Sequence, residues 1–256
     1  MVGATILAAS HVVAHPRESL TAQAGDPTAP LLQAQVTYLY SDTVRHSGDD
    51  ARQLLLEPVI PVPPSEVVPI NQIIRLSVPF LDVPDGKSGL GDISLEEVFI
   101  PADHHWGTYG LGYTATFPTA QHRDLGAGKY QFGPAVMIIY YGIENWQIGA
   151  TLTQSWSIDG VGNGDREEVS DATVQPIVNY LWGDWYIGMG DFTWSYDWKG
   201  NQGWTIPLGL QVGRITQIGH HKFNLSAELM WVPIHNGPGP TPEHGFKVGM
   251  VWLLPE

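Results

Sequence analysis

From residue 33 onward, apolar side chains alternate with polar or small ones at a period of two. An extended strand puts successive side chains on opposite faces, so such a run reads as a strand with one apolar face. Four runs are nearly perfect. Tyr109, Leu111, Tyr113, Ala115 and Phe117 interleave with Gly and Thr; Trp146, Ile148, Ala150 and Leu152 with Gln, Gly and Thr. Trp204, Ile206, Leu208, Leu210 and Val212 form the third, and Phe223, Leu225, Ala227, Leu229 and Trp231 the fourth. Weaker runs cover 33–40, 52–60, 70–80, 91–100, 130–141, 172–182, 185–196 and 244–254, giving twelve in all. The run 185–196 changes phase near Gly190-Asp191, which predicts a bulge. Most runs approach the ~9–11 residues with which a tilted strand crosses a bilayer.

The links alternate in length. Ser41–Ala51, Leu81–Leu90, Pro118–Lys129, Ser157–Asp171 and Val232–Glu243 are long; Ala102–Trp106, Gly142–Asn145 and Gly183-Asp184 are short. This predicts an all-β fold: a single transmembrane, antiparallel, up-and-down barrel of about twelve strands, with short periplasmic turns and longer outer loops.

Alternation also fits a soluble barrel, whose apolar face would line a core. The polar face decides against it, being built from Gly, Thr, Ser, Gln and Asn with few charges. Only 15% of the residues are charged, against about 25% in an ordinary soluble chain. Neutral polar groups suit a crowded lumen. On this reading Leu208, Leu210, Leu225 and Leu229 face lipid. Glu57, Arg75, Asp92, Glu96, Gln211, Glu228 and Lys247 are the lumen or constriction candidates. Arg75 would meet Asp92 or Glu96 on the next strand, and the acid excess would favour cations. Tryptophans gather near strand ends, and Trp146, Trp185, Trp204, Trp231 and Trp252 are placed at the membrane interfaces.

Composition closes off other classes. The net charge of −14, from 26 acidic and 12 basic residues, opposes nucleic-acid binding, which needs clustered cations. No apolar stretch reaches the ~18 residues of a spanning helix. There is no cysteine, as is common in exported bacterial proteins. Val2 to Ala14 is small and apolar, like the core and cleavage site of a secretory signal without its positive region. The domain reading is therefore 1–14 truncated signal peptide, 15–32 N-terminal extension and 33–256 outer-membrane barrel.

No chemistry-bearing motif completes itself, so no catalytic residue, metal or cofactor is expected. His104-His105 and His220-His221 are adjacent pairs that a strand would split between its faces. The stretch from Asp159 to Glu168 lacks the acid spacing of a calcium loop. Gly86-Lys87-Ser88 lacks the first glycine of a phosphate loop, and no Gly-x-Ser-x-Gly elbow exists.

Several segments in order resemble a known group: Asp26-Pro27-Thr28-Ala29-Pro30, Pro58-Val59-Ile60-Pro61, Asn71 to Pro79, and Gly89-Leu90-Gly91-Asp92-Ile93-Ser94. Phe117-Pro118-Thr119, Gly126 to Tyr130, Gly133 to Val136 and Trp204 to Gly209 continue the series. The set resembles the outer-membrane β-barrel family named for the meta-pathway of phenol degradation (the MetA-pathway of phenol degradation family). The resemblance implies a location in the bacterial outer membrane and a transport role beside aromatic catabolism. The expected function is a narrow passive channel or uptake protein for small, hydrophobic or aromatic compounds. The alternatives are a non-conducting structural or adhesive barrel acting through acidic loops, a barrel enzyme acting on lipids, and a soluble ligand-binding β protein. Lys247, Gly249, Trp252 and Leu254 resemble the C-terminal strand signal that the barrel-assembly machinery reads. The expected partners are that machinery, outer-membrane lipid and lipopolysaccharide, and a small solute.

Overall fold

The computed structural model describes residues 19–45, 47, 49–84, 87–101, 103–162, 165–190, 192–200, 202–236 and 241–254. The signal-peptide expectation at 1–14 lies outside them, as do Gly86, Asp191, Pro255 and Glu256. Each period-two run forms a strand: β1 (Leu32–Val44), β2 (Ala51–Val62), β3 (Asn71–Val83), β4 (Lys87–Leu90) and β5 (Ile93–Ile100). Next come β6 (Asp103–His104), β7 (Gly107–Phe117), β8 (Lys129–Tyr140), β9 (Trp146–Gly162) and β10 (Ser170–Trp182). β11 (Trp185–Gly188), β12 (Trp194–Asp197), β13 (Trp204–Ile218), β14 (His221–His235) and β15 (Pro242–Leu254) complete the set. Adjacent strands pair antiparallel, and β15 pairs with β1 from Leu32↔Leu254 to Val44↔Pro242. The result is a closed antiparallel barrel of 12 strands, with β4–β5 and β11–β12 each forming one interrupted wall strand. Closure leaves no unpaired edge.

The face assignments follow the register. Leu210 lies opposite Leu229, and both point outward, 59% and 66% exposed. Leu225 is likewise exposed and Leu208 half-buried on the same outward face. Trp146, Trp185, Trp204 and Trp231 are exposed outward, and Trp252 packs edge-on against His221. Trp146 meets Tyr180 and Trp185 carries Arg214 over its ring at the end with short turns. Trp204 meets Tyr196 near the opposite end. Short turns and both described chain ends share one rim, called here the turn end; the other is the loop end.

The loop-end connections are shorter than the sequence predicts, because the strands run on past the apolar belt. The first link spans only 45–50 and the β14–β15 link 236–241.

Strand prolines fall where that ladder is broken on one side, as a residue without an N–H requires. Pro58 lies in the gap between Leu56↔Val78 and Val59↔Arg75. Pro134 lies between Phe132↔Trp156 and Ala135↔Thr153. Pro207 faces a bulge in β14, between Ile206↔Ile234 and Leu208↔Trp231. The phase change at Gly190 is a larger interruption: pairing with β10 stops at Asn179↔Gly188 and resumes at Val174↔Trp194, on either side of Pro176.

The lumen is divided. At the turn end, inward side chains are apolar and buried: Val59, Ile73, Val98, Ile100, Ala135 and Met137 form one cluster. Residues 19–31, before β1, complete this filling. They begin with a short helix, α1 (Leu20–Ala24), whose N-cap Ser19 accepts from the Ala22 N–H at 3.1 Å. Leu31 then packs with Ile215 and Leu253, and Ala22 with Leu181 and Tyr186. Residues 19–31 are thus an internal plug.

Candidate functional site: the barrel lumen

Above the plug lies a cavity of about 380 Å³. Its floor is the plug itself, at Gly25, Asp26, Pro27 and Ala29, and its wall carries Gln33, Gln35, Gln53, Glu57, Arg75, Gln211 and Lys247. A second hollow of about 590 Å³ opens at the loop end, lined by Leu39, Val44, Leu81, Val83 and Pro84. Leu39 and Gln53 border both, so the mouth and the inner cavity adjoin.

The plug is held by polar contacts as well as apolar ones. Gln147, fully buried, donates from Nε2 to the Ala22 carbonyl at 2.6 Å. Thr21 donates to the Gly183 carbonyl at 3.0 Å. Gly25 passes so close to Gln147 that an added Cβ would stand 2.7 Å from Oε1. Asp26 accepts the Thr28 N–H at 2.8 Å and its hydroxyl at 2.6 Å, a local turn that satisfies a buried carboxylate. The Tyr141 hydroxyl donates to its other oxygen.

Charged lumen residues pair across neighbouring strands. Arg75 and Glu96 are register partners on β3 and β5, with Nη1 to Oε1 at 3.7 Å. Glu228 and Lys247 are register partners on β14 and β15, with Nζ to Oε2 at 2.8 Å. Glu57 accepts from the Ser77 hydroxyl at 2.7 Å. Gln211 stands opposite Glu228 on β13. Asp92 is elsewhere: between β4 and β5 it accepts the backbone N–H groups of Ala120 and Gly128 at 3.0 and 3.2 Å, anchoring the link after β7. A strand-to-strand guess for Arg75 could not separate Asp92 from Glu96, because the break at Gly91 was not visible as a loss of alternation.

On either side of Asp191, Gly190 and Phe192 reach inward to the Glu228–Lys247 pair. Phe192 lies beneath the Lys247 ammonium, 4.4 Å from Nζ to the ring centroid. Gly190 has φ +81°, and a Cβ there would stand 1.5 Å from Glu228 Oε1. Only glycine permits both that backbone and that approach. The phase change was the sole signal in the sequence for this approach, and nothing pointed to Phe192.

Among the described residues no group of three or more His, Asp or Glu comes together as a metal site would require. His104 stacks on Trp106 and Tyr109.

No protein-family model matches the sequence, and no curated protein does. By shape, the barrel is similar to the COG4313 outer-membrane channel from Pseudomonas putida F1, with a TM-score of 0.61 and 14% identity over 90% of this chain and 99% of that one. It is also similar to the NanC porin, with a TM-score of 0.56 and 13% identity over 87% of this chain and 100% of that one. At such identity the likeness establishes the fold: this chain has the barrel architecture of outer-membrane channels and porins.

Proposed function

We propose that the chain is a narrow passive channel of the bacterial outer membrane for small solutes, without enzymatic activity. One observation carries this reading: the barrel is apolar outside and polar within. Leu210, Leu225 and Leu229 are exposed outward, whereas Gln33, Gln35, Gln53 and Gln211 border an internal cavity adjoining a loop-end mouth. A soluble barrel would reverse the two faces. The outward leucines then meet lipid and the tryptophans the headgroups, with lipopolysaccharide facing the loops. The chain's likeness to channel structures and its ordered segments resembling the phenol meta-pathway family support the same assignment. On β15, Lys247, Gly249, Trp252 and Leu254 resemble the strand signal read by the barrel-assembly machinery, with Pro255-Glu256 in place of its aromatic residue. The mouth sets Leu39, Leu81 and Val83 beside Arg52, Gln53 and Asp82, which suits a small solute with both apolar and hydrogen-bonding faces at the point of capture.

The filled turn end favours a second reading, a non-conducting structural barrel. Planar-bilayer recording on refolded protein separates the two. Discrete conductance steps are expected for a channel whose plug yields; a silent membrane holding folded barrel would favour the structural role. Fractionation with the outer membrane tests the location, and recovery in a detergent-free periplasmic extract would exclude it.

A further inference from the structure

We propose that the cavity above the plug is a binding site for an uncharged, hydrogen-bonding small molecule of the polyol or monosaccharide class. The proposal rests on the lumen being a solute path, and names what that path retains.

The argument starts from which polar groups of the cavity still have hydrogen bonds to offer. Its charged residues are engaged. Arg75 is paired with Glu96, Lys247 with Glu228, Glu57 holds Ser77, and Asp26 is held by Thr28 and Tyr141. Arg75 and Lys247 are each balanced by a carboxylate on the next strand, while Glu57 and Asp26 are met by hydroxyl and amide donors, so what charge remains is negative and opposes an anionic solute. The amides differ. Gln53 and Gln211 make no side-chain hydrogen bond among the described residues, and Gln33 and Gln35 share a single bond of 2.8 Å. Each amide offers both donors and an acceptor.

Such a set of neutral groups with both donors and acceptors matches hydroxyl groups, which also donate and accept. The amides themselves carry no charge with which to prefer an ion. Leaving a carboxylate or ammonium of the solute against amides alone would forgo the charge-assisted bonds that it makes with water. A wholly apolar solute would strip water from the amides and return nothing. The volume, about 380 Å³, falls in the range of small-ligand pockets, roughly 300–1,000 Å³. Phe192 also borders the cavity, its ring beneath the Lys247 ammonium.

The test uses the refolded full chain. Equilibrium dialysis with radiolabelled glucose measures binding, with glucuronate, glucosamine and benzyl alcohol as competitors, and liposome swelling with the same solutes measures permeation. Saturable glucose binding, displaced by unlabelled glucose and not by the other three, is expected. The Gln53→Leu/Gln211→Leu variant should weaken it about fivefold or more, the effect of losing at least one hydrogen bond. A Gln53→Glu/Gln211→Glu variant keeps the shape should leucine disturb folding, and should transfer preference from glucose to glucosamine. Swelling without saturable glucose binding overturns the site and leaves the channel standing. Saturable binding without swelling keeps the site and removes the channel. Displacement by glucuronate or benzyl alcohol as effective as by glucose, or unchanged binding in both variants, overturns the site.

Discussion

Tyr113 donates its hydroxyl hydrogen to a carboxylate oxygen of Glu97, its register partner across the β5–β7 pair. Both side chains belong to the outward face, with Ile74 opposite Glu97 on the other side. Tyr113 sits midway along β7 between Tyr109 and Phe117, so the pair lies within the apolar belt and not at its rim. Tyr113 also rests against Phe132, at 5.4 Å between ring centroids. A carboxylate there has one phenol where water would offer several donors. Glu97→Leu is expected to stabilise the barrel in lipid by about 1 kcal/mol, since charged groups on a lipid face destabilise by up to ~2–4 kcal/mol and acids by less. Tyr113→Phe should destabilise. A hydrophobic carbodiimide should label the wild-type chain at Glu97 and fail on Glu97→Gln; equal labelling of both would place the carboxyl elsewhere.

The two faces of β13 supply a sharper contrast. Leu210 points outward and Gln211 borders the cavity. Leu210→Arg should lose about 2–4 kcal/mol in denaturant unfolding from liposomes, and Gln211→Arg much less. The reverse order would mean that the apolar face is not the lipid face.

The plug can be displaced without touching the wall. Gly25→Leu places a side chain into Gln147, whose Oε1 would be 2.7 Å from the first added atom. The barrel should still shift in mobility on heating, while conductance rises and residues 19–31 become open to protease. A disulfide joining Ala22→Cys to Leu181→Cys, neighbours in one buried cluster, should hold conductance at its minimum until reduced.

Glu228 and Lys247 stabilise each other more than they stabilise the fold. Their side chains are 1% and 11% exposed. Glu228→Gln leaves an ammonium buried beside Phe192 and should cost about 3–5 kcal/mol, whereas the double variant Glu228→Gln/Lys247→Met should recover most of that loss. A double-mutant cycle in denaturant measures the difference; additive losses would show that the pair is not coupled.

Acid should loosen the loop end before it affects the wall. Asp124 is hydrogen-bonded to Lys87, and Glu168 to Lys199, and these ammonium groups hold both carboxyls below their ordinary values of 3.8 and 4.5. A depressed carboxyl contributes above its unfolded value and loses that contribution as pH falls through the lower, folded one. The ties should therefore persist at pH 5 and release only below the ordinary carboxyl range. Both are exposed and weak, so the readout is hydrogen exchange in the links after β7 and β9, not global unfolding. Lys87→Gln should bring that release to higher pH.

The wall of the barrel was legible in the sequence because only one face of each strand is apolar over the belt. Leu208, Leu210, Leu225 and Leu229 and their polar neighbours could be sorted by parity alone. The turn-end lumen was not legible, since Val59, Ile73 and Met137 are apolar on the inward face too and leave no alternation to read. Nor was the plug. A helix of 5 residues made of small side chains has no periodic stripe, and its position depends on Gln147 and Gly183, more than a hundred residues away. Ser19 as a cap and Asp26-Pro27-Thr28 as a turn were the signals available. Arg75 could be matched to Glu96 only once the β3–β5 register was known, and Lys247 to Glu228 only through the final hairpin.

The pairing of β1 with β15 also fixes an order of events. Because the first wall strand finds its last neighbour only when residues 242–254 exist, the ring cannot be sealed before that strand has been made. Residues 19–31 lie immediately before β1 and end up inside that ring. They reach that place either as the seam closes or afterwards, by folding back through the turn-end rim at which β1 begins. Sealing the seam and seating residues 19–31 are therefore separable steps, and a chain whose segment is late to dock would pass through the state of an unobstructed tube.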